Sequence, residues 1–168
     1  MNIKNVLSIL AVVAIVAGLL FARVEPQPAT TPMPIGADDA DIVVYKTEFC
    51  GCCHGWVDHL RDNGLEVEVV NVTTTAATRE RLGVPHALGS CHTAKVGDYW
   101  VEGHVPADLV QRLIADKPDD IRGIAAPGMP MGSPGMEGPN PVEYDVVAYR
   151  ADGSTSIYAT RQGKSVVE

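Results

Sequence analysis

With 168 residues, 46% of them apolar, the chain has material for one domain of ordinary size. A net charge of −8 argues against a nucleic-acid partner, which selects clustered Lys and Arg. The acidic residues are scattered, a pattern of solubility rather than of cation attraction.

The chain starts with Met1-Asn2-Ile3-Lys4-Asn5 and the apolar stretch Val6 to Ala22. A basic start and an apolar run too short for a comfortable bilayer span read as an export signal. Residues 1–23 are therefore expected to be a signal peptide or a retained membrane anchor; no clean small-x-small cleavage site follows the apolar run, since Leu20-Phe21-Ala22 is a poor one and Arg23 and Glu25 come next. Residues 24–40 carry Pro26, Pro28, Pro32 and Pro34 without apolar periodicity and read as an extended tether. The folded domain is expected over 41–168.

Its first strand is expected at Ile42 to Lys46, followed by Phe49-Cys50-Gly51-Cys52-Cys53 and a helix through Trp56, Val57 and Leu60 that Gly64 caps. Leu65 to Val72 alternates with period two and reads as a half-buried strand. Ala76 to Leu82 reads as a short helix stopped by Gly83-Val84-Pro85, and Thr93 to Val101 as strand or hairpin around Gly97-Asp98. A third helix is expected from Pro106 through Ile114, with Pro in its first turn. The run from Gly123 to Pro139 reads as a rigid loop carrying Met129, Met131 and Met136. Val142 to Tyr149 and Thr155 to Thr160 flank Asp152-Gly153, a strong hairpin turn signal. This order gives an α/β fold of thioredoxin-like type: a mixed β-sheet flanked by helices, with a Gly/Pro/Met-rich loop and a C-terminal β-hairpin.

The chemistry concentrates on four cysteines, Cys50, Cys52, Cys53 and Cys91. Three thiols around one Gly, at the end of a strand and the start of a helix, point to redox or soft-metal chemistry, because a helix N-terminus stabilises thiolate. Cys50 and Cys53 have the spacing of a redox disulfide on a helix turn. Cys52 is then expected to face away from that pair and to have another task. A plain oxidoreductase needs two thiols, whereas a soft-metal site gains from each additional one, so the extra cysteine favours metal. Thiolate and thioether donors with few carboxylates suit Cu(I), but Zn and Cd bind thiolates too, and a two-bridge disulfide framework is also open.

His92 is the first imidazole candidate beside Cys91, and His104 could reach the same site. His54 is expected exposed on the first helical turn, His59 and His86 are expected at the surface, and Trp56 is expected to pack the helix on the sheet. Met129, Met131 and Met136 are soft donors, or simply cover apolar surface.

Four motifs in order, Cys50-Gly51-Cys52-Cys53 with Trp56, Ser90-Cys91-His92-Thr93-Ala94, Val101-Glu102-Gly103-His104-Val105-Pro106, and Gly123 to Pro130 with Gly132 to Glu137, resemble the CopG family of small exported copper-resistance proteins. The resemblance implies a thioredoxin-like domain whose cysteines hold copper, more than one ion bridged by thiolate sulfur, in the periplasm beside efflux and oxidase components. It implies Cys50, Cys52, Cys53, Cys91, His104, Met129 and Met136 as metal positions, with His92 added from its place beside Cys91. Redox interconversion of Cu(I) and Cu(II) is the enzymatic activity the resemblance leaves open. A metal-independent thiol-disulfide oxidoreductase and a single-ion copper chaperone are the alternative readings.

Overall fold

The computed structural model describes residues 42–163 and 165–167. The expected leader and tether fall outside the described residues. Strand β1 (Ile42–Lys46) is buried along its whole length, as a largely apolar run on an interior strand should be. It pairs in parallel with β2 (Val67–Asn71) and antiparallel with β3 (His92–Val96), and β3 forms a hairpin with β4 (Tyr99–Gly103). Helix α1 (Gly51–Asp62) makes the crossover between β1 and β2, and the shorter α2 (Ala76–Leu82) follows β2. Helix α3 (Ala107–Asp116) follows β4. The strand order β2-β1-β3-β4 with these helices is the thioredoxin-like arrangement the sequence order implies.

Four more strands widen the sheet to eight: β5 (Ile121–Ala126), parallel to β4, then β6 (Glu143–Arg150), β7 (Thr155–Gln162) and β8 (Ser165–Val166) as an antiparallel meander. The expected hairpin at Asp152-Gly153 is the β6–β7 turn, with Gly153 at φ +85°. Strand β5 corrects the expectation of a loop from Gly123 onward: Gly123 to Ala126 pair with β4, and Gly123 to Ala125 with β6, instead. Its Gly123 serves packing: a Cβ there would fall within the indole of Trp100. The alternating run begins at Leu65, but β2 begins only at Val67, because the Leu65 N–H closes the α1 cap on the Leu60 carbonyl at 3.2 Å.

One face of the sheet buries Ile42, Val44, Ala94, Val96 and Val101 against Trp56, Val57 and Leu60 of α1 and Leu109, Val110 and Leu113 of α3. On the opposite face Trp100 and Ala125 pack with Val84, just beyond α2. The register Lys46↔His92 sets the end of β1 against the start of β3. The α1 N-terminus and the residue after β4, His104, meet at that same end of the sheet. Among the described residues no helix is long and apolar enough to cross a membrane.

Candidate metal centre

Cys50 takes the N-cap position of α1 with extended backbone (φ −76°, ψ 96°), and its side chain makes no capping hydrogen bond to the helix, so the first-turn N–H groups are left facing the cysteine end. Cys50 and Cys53 form a disulfide with Cα atoms 5.3 Å apart, the pairing their spacing implies. Cys52 is the second correction. It does not turn away from the pair: its Sγ lies 3.5 Å from Cys50 Sγ and 3.8 Å from Cys91 Sγ. Only one residue separates Cys52 from the cap, and Cys91 arrives from the start of β3 to meet it. All four sulfurs lie within 4.8 Å of one another.

Cys91 also belongs to a second donor group, with Nδ1 of His92 at 3.3 Å and Nε2 of His104 at 3.1 Å. Donors about 2.0–2.3 Å from one ion in tetrahedral geometry stand about 3.3–3.8 Å apart. The separations around Cys91 are close to those edges, so the donor set fits a soft metal ion without rebuilding the fold. His104 Nδ1 donates to the Pro134 carbonyl at 2.8 Å, which fixes the tautomer and leaves the Nε2 lone pair facing Cys91. The His92 ring is packed 4.3 Å from Trp56 and edge-on to His104 at 4.9 Å. Trp56 in turn donates Nε1–H to the Val105 carbonyl at 2.7 Å.

Burial sets the protonation. It pushes His92 down to about 3, with His104 beside it adding to the effect, and it lowers His104 as well. Both imidazoles are thus neutral and able to ligate. Burial and the neighbouring Cys52 push the Cys91 thiol up to about 12, so a metal bound there must displace a proton. Lys46, buried at the end of β1, is held by the Thr47 carbonyl at 3.1 Å and Asn71 Oδ1 at 3.3 Å, which ties down the turn that leads into Cys50.

The Met-rich loop is tied to this centre by its backbone. Besides the Pro134 carbonyl on His104, Gly135 (φ +80°) lies flush on α1 at Gly55; a Cβ on Gly135 would stand 2.6 Å from Trp56 N and closer still to the Cys52 carbonyl. Met136, next in the chain, is half-buried, its N–H bonded to Ser133 O and its carbonyl accepting from Gly132 N. Met129 is 44% exposed at φ +51°. Met131 is exposed, with its sulfur beside Gly138. Gly135→Ala is expected to lift the loop and free His104, with a loss of metal affinity of about 10- to 100-fold, the usual cost of a lost outer partner; a competition titration against a chromogenic chelator measures it.

The remaining histidines divide. His54 is exposed as expected, its Nδ1 donating to the Cys50 carbonyl at 2.9 Å, and His86 is exposed. His59 is a third correction: it is half-buried, and its Nε2 accepts the Ala107 N–H at 3.0 Å, capping the start of α3. Sequence reasoning also missed Glu102 and Arg79. Glu102 is fully buried, and its Oε1 lies 2.7 Å from Arg79 Nε. Nothing in local sequence couples a residue of α2 to one of β4.

Two solved structures named "Copper resistance protein copG", Form 1 and Form 2, are each 41% identical to this chain with a TM-score of 0.67. Form 1 aligns over 73% of this chain and 97% of its own, Form 2 over 71% and 96%. The chain belongs to the CopG family of copper resistance proteins. A family profile described as "Protein of unknown function, DUF411" matches residues 88–136, the stretch that holds Cys91, His92, His104 and the Met-rich loop. No curated protein matches the chain.

Proposed function

We propose that this CopG-family protein is an exported, periplasmic copper-binding protein that holds Cu(I) on Cys50, Cys52, Cys53 and Cys91. His92 and His104 complete the set, and Met136 and Met129 are thioether ligands supplied by the loop. The observation that carries this reading is the position of Cys91 Sγ, common to a four-sulfur group and to a Cys-His-His group. A sulfur shared by two donor groups is suited to bridge ions, which supports a site of more than one copper. Soft sulfur donors beside neutral imidazoles favour copper, and among the described residues no carboxylate joins either group.

The Cys50–Cys53 disulfide supports redox activity at the same site. Closed, it withholds two sulfurs from metal; opened by two electrons and two protons, it returns them. A specific observation favours a second reading, metal-independent thiol-disulfide exchange, because the pair sits at a helix N-terminus as in redox proteins.

Copper content by mass spectrometry, with free thiols counted on the same anaerobic sample, decides between them. The reduced protein is expected to hold more than one copper per chain with its thiols protected from alkylation, and the disulfide-closed protein fewer. Reduced protein that retains no copper and whose Cys50 and Cys53 exchange freely with a test disulfide would transfer the assignment to the oxidoreductase.

A further inference from the structure

Cys91 is delivered by a segment with little regular structure of its own: between α2 and β3 there is only a single 3-10 turn, His86–Leu88. Its sulfur nevertheless belongs to both donor groups and has to be held where the two meet. The residue that leads into it, Ser90, is gripped on both sides. Its N–H donates to Glu102 Oε1 at 2.5 Å, and its carbonyl, part of the peptide bond to Cys91, accepts from Arg79 Nη2. The same Oε1 receives Arg79 Nε at 2.7 Å, so one carboxylate oxygen and one guanidinium close a ring around the Ser90 backbone.

The seat beneath Ser90 is Gly103, at φ +71°. A Cβ there would stand 2.9 Å from Ser90 Oγ and 2.6 Å from the Ala126 carbonyl, so a side chain would displace the segment. Glu102, Gly103 and His104 thus grip Ser90, seat it, and face Cys91 in turn. A carboxylate that is 0% exposed and a guanidinium that is 20% exposed lose hydration, and a well-packed apolar pair commonly serves stability as well. An apolar pair has no means of holding an N–H and a carbonyl of an irregular segment.

We infer that Arg79 and Glu102 are positioning residues for metal capture: their ion pair clamps Ser90 and thereby fixes the Cys91 sulfur between Cys52, His92 and His104. The inference deepens the copper-binding reading and rests on it for its functional consequence. Neither residue touches the metal donors directly; both act through the Ser90 backbone.

The test uses full-length protein with Glu102→Gln, which removes the charge, and Arg79→Lys, which keeps the charge but loses the planar fork. In metal-free protein with Cys50–Cys53 closed, Cys52 and Cys91 are the two free thiols, so mass spectrometry of a brief alkylation gives their ratio within one molecule. Both variants are expected to raise the Cys91-to-Cys52 alkylation ratio about tenfold and to release Cu(I) to excess chelator about 10- to 100-fold faster, the range typical of lost outer partners. A ratio and a release rate equal to wild type in folded Glu102→Gln would overturn the clamp. If that variant does not fold, the same pair of readings on Arg79→Lys decides. Should wild type hold no copper, the copper-binding reading fails by itself, while the alkylation ratio, which needs no metal, still decides the clamp.

Discussion

Replacing Cys91 with Ser is expected to remove more copper than any other single substitution in the cluster, at least halving the copper bound per chain and weakening what remains by 100-fold or more. The reason is geometric. Cys91 Sγ is 3.8 Å from Cys52 Sγ, 3.3 Å from His92 Nδ1 and 3.1 Å from His104 Nε2, so one atom serves both donor groups. Loss of an outer partner already costs about 10- to 100-fold in metal affinity, and loss of a shared ligand costs at least as much. A hydroxyl is a hard donor that soft Cu(I) does not favour. The replacement is small and half-buried, so the fold should lose about 1 kcal/mol or less, and a thermal melt separates the two effects. Cys52→Ser, by contrast, leaves the Cys-His-His group intact and should reduce stoichiometry without abolishing binding. Equal copper content in wild type and Cys91→Ser would remove Cys91 from the ligand set and with it the argument for a bridging sulfur.

The sequence shows the parts of this centre whose signals are local. The cysteine spacing gives the disulfide, Ile42 to Lys46 gives a buried interior strand, and Gly64, Gly97-Asp98 and Asp152-Gly153 mark turns that their φ preferences favour. Pro106 marks the start of α3, taking the cap position itself rather than the first turn. What the sequence hides depends on packing between distant segments. Gly123 looks like loop punctuation but is a strand residue that makes room for Trp100. His59 looks like a surface residue but accepts the first N–H of a helix 48 positions further on. The direction of Cys52 could not be read from helix spacing, because its nearest partner outside the motif, Cys91, is 39 residues away and arrives from another strand.

The Met-rich loop shows the same division. Its Gly and Pro content correctly announces a preset backbone, and its internal bonds, Gly132 N–H to Met136 O at 2.7 Å and Met136 N–H to Ser133 O at 2.8 Å, bear that out. Its main contribution to the described centre, however, comes from two residues without soft donors. Pro134 supplies the carbonyl that orients His104, and Gly135 supplies the bare Cα that lets the loop lie on α1. Composition directs attention to the thioethers, while the contacts lie in the backbone between them.

Fully reduced protein given Cu(II) without oxygen is expected to bleach the Cu(II) electron paramagnetic resonance signal of two ions per chain while Cys50 and Cys53 pair. In that step the two thiols give up two protons and two electrons, the S–S bond forms, and two Cu(II) become two Cu(I). The structure favours pairing at Cys50–Cys53 because their Cα atoms already stand 5.3 Å apart at the helix start, within the range a disulfide needs. Cys52, Cys91, His92 and His104 are then left to hold the product, and the two imidazoles, kept neutral by burial, need release no proton to do so. Cys50→Ser removes the pairing and should leave the Cu(II) signal of those two ions largely intact, while Cys52→Ser should still bleach it. Peptide mapping of the product identifies the bridge. A Cu(II) signal that persists in wild type with all four thiols free would confine the protein to sequestration, whereas bleaching with a Cys52–Cys91 bridge would move the redox pair away from the helix N-terminus.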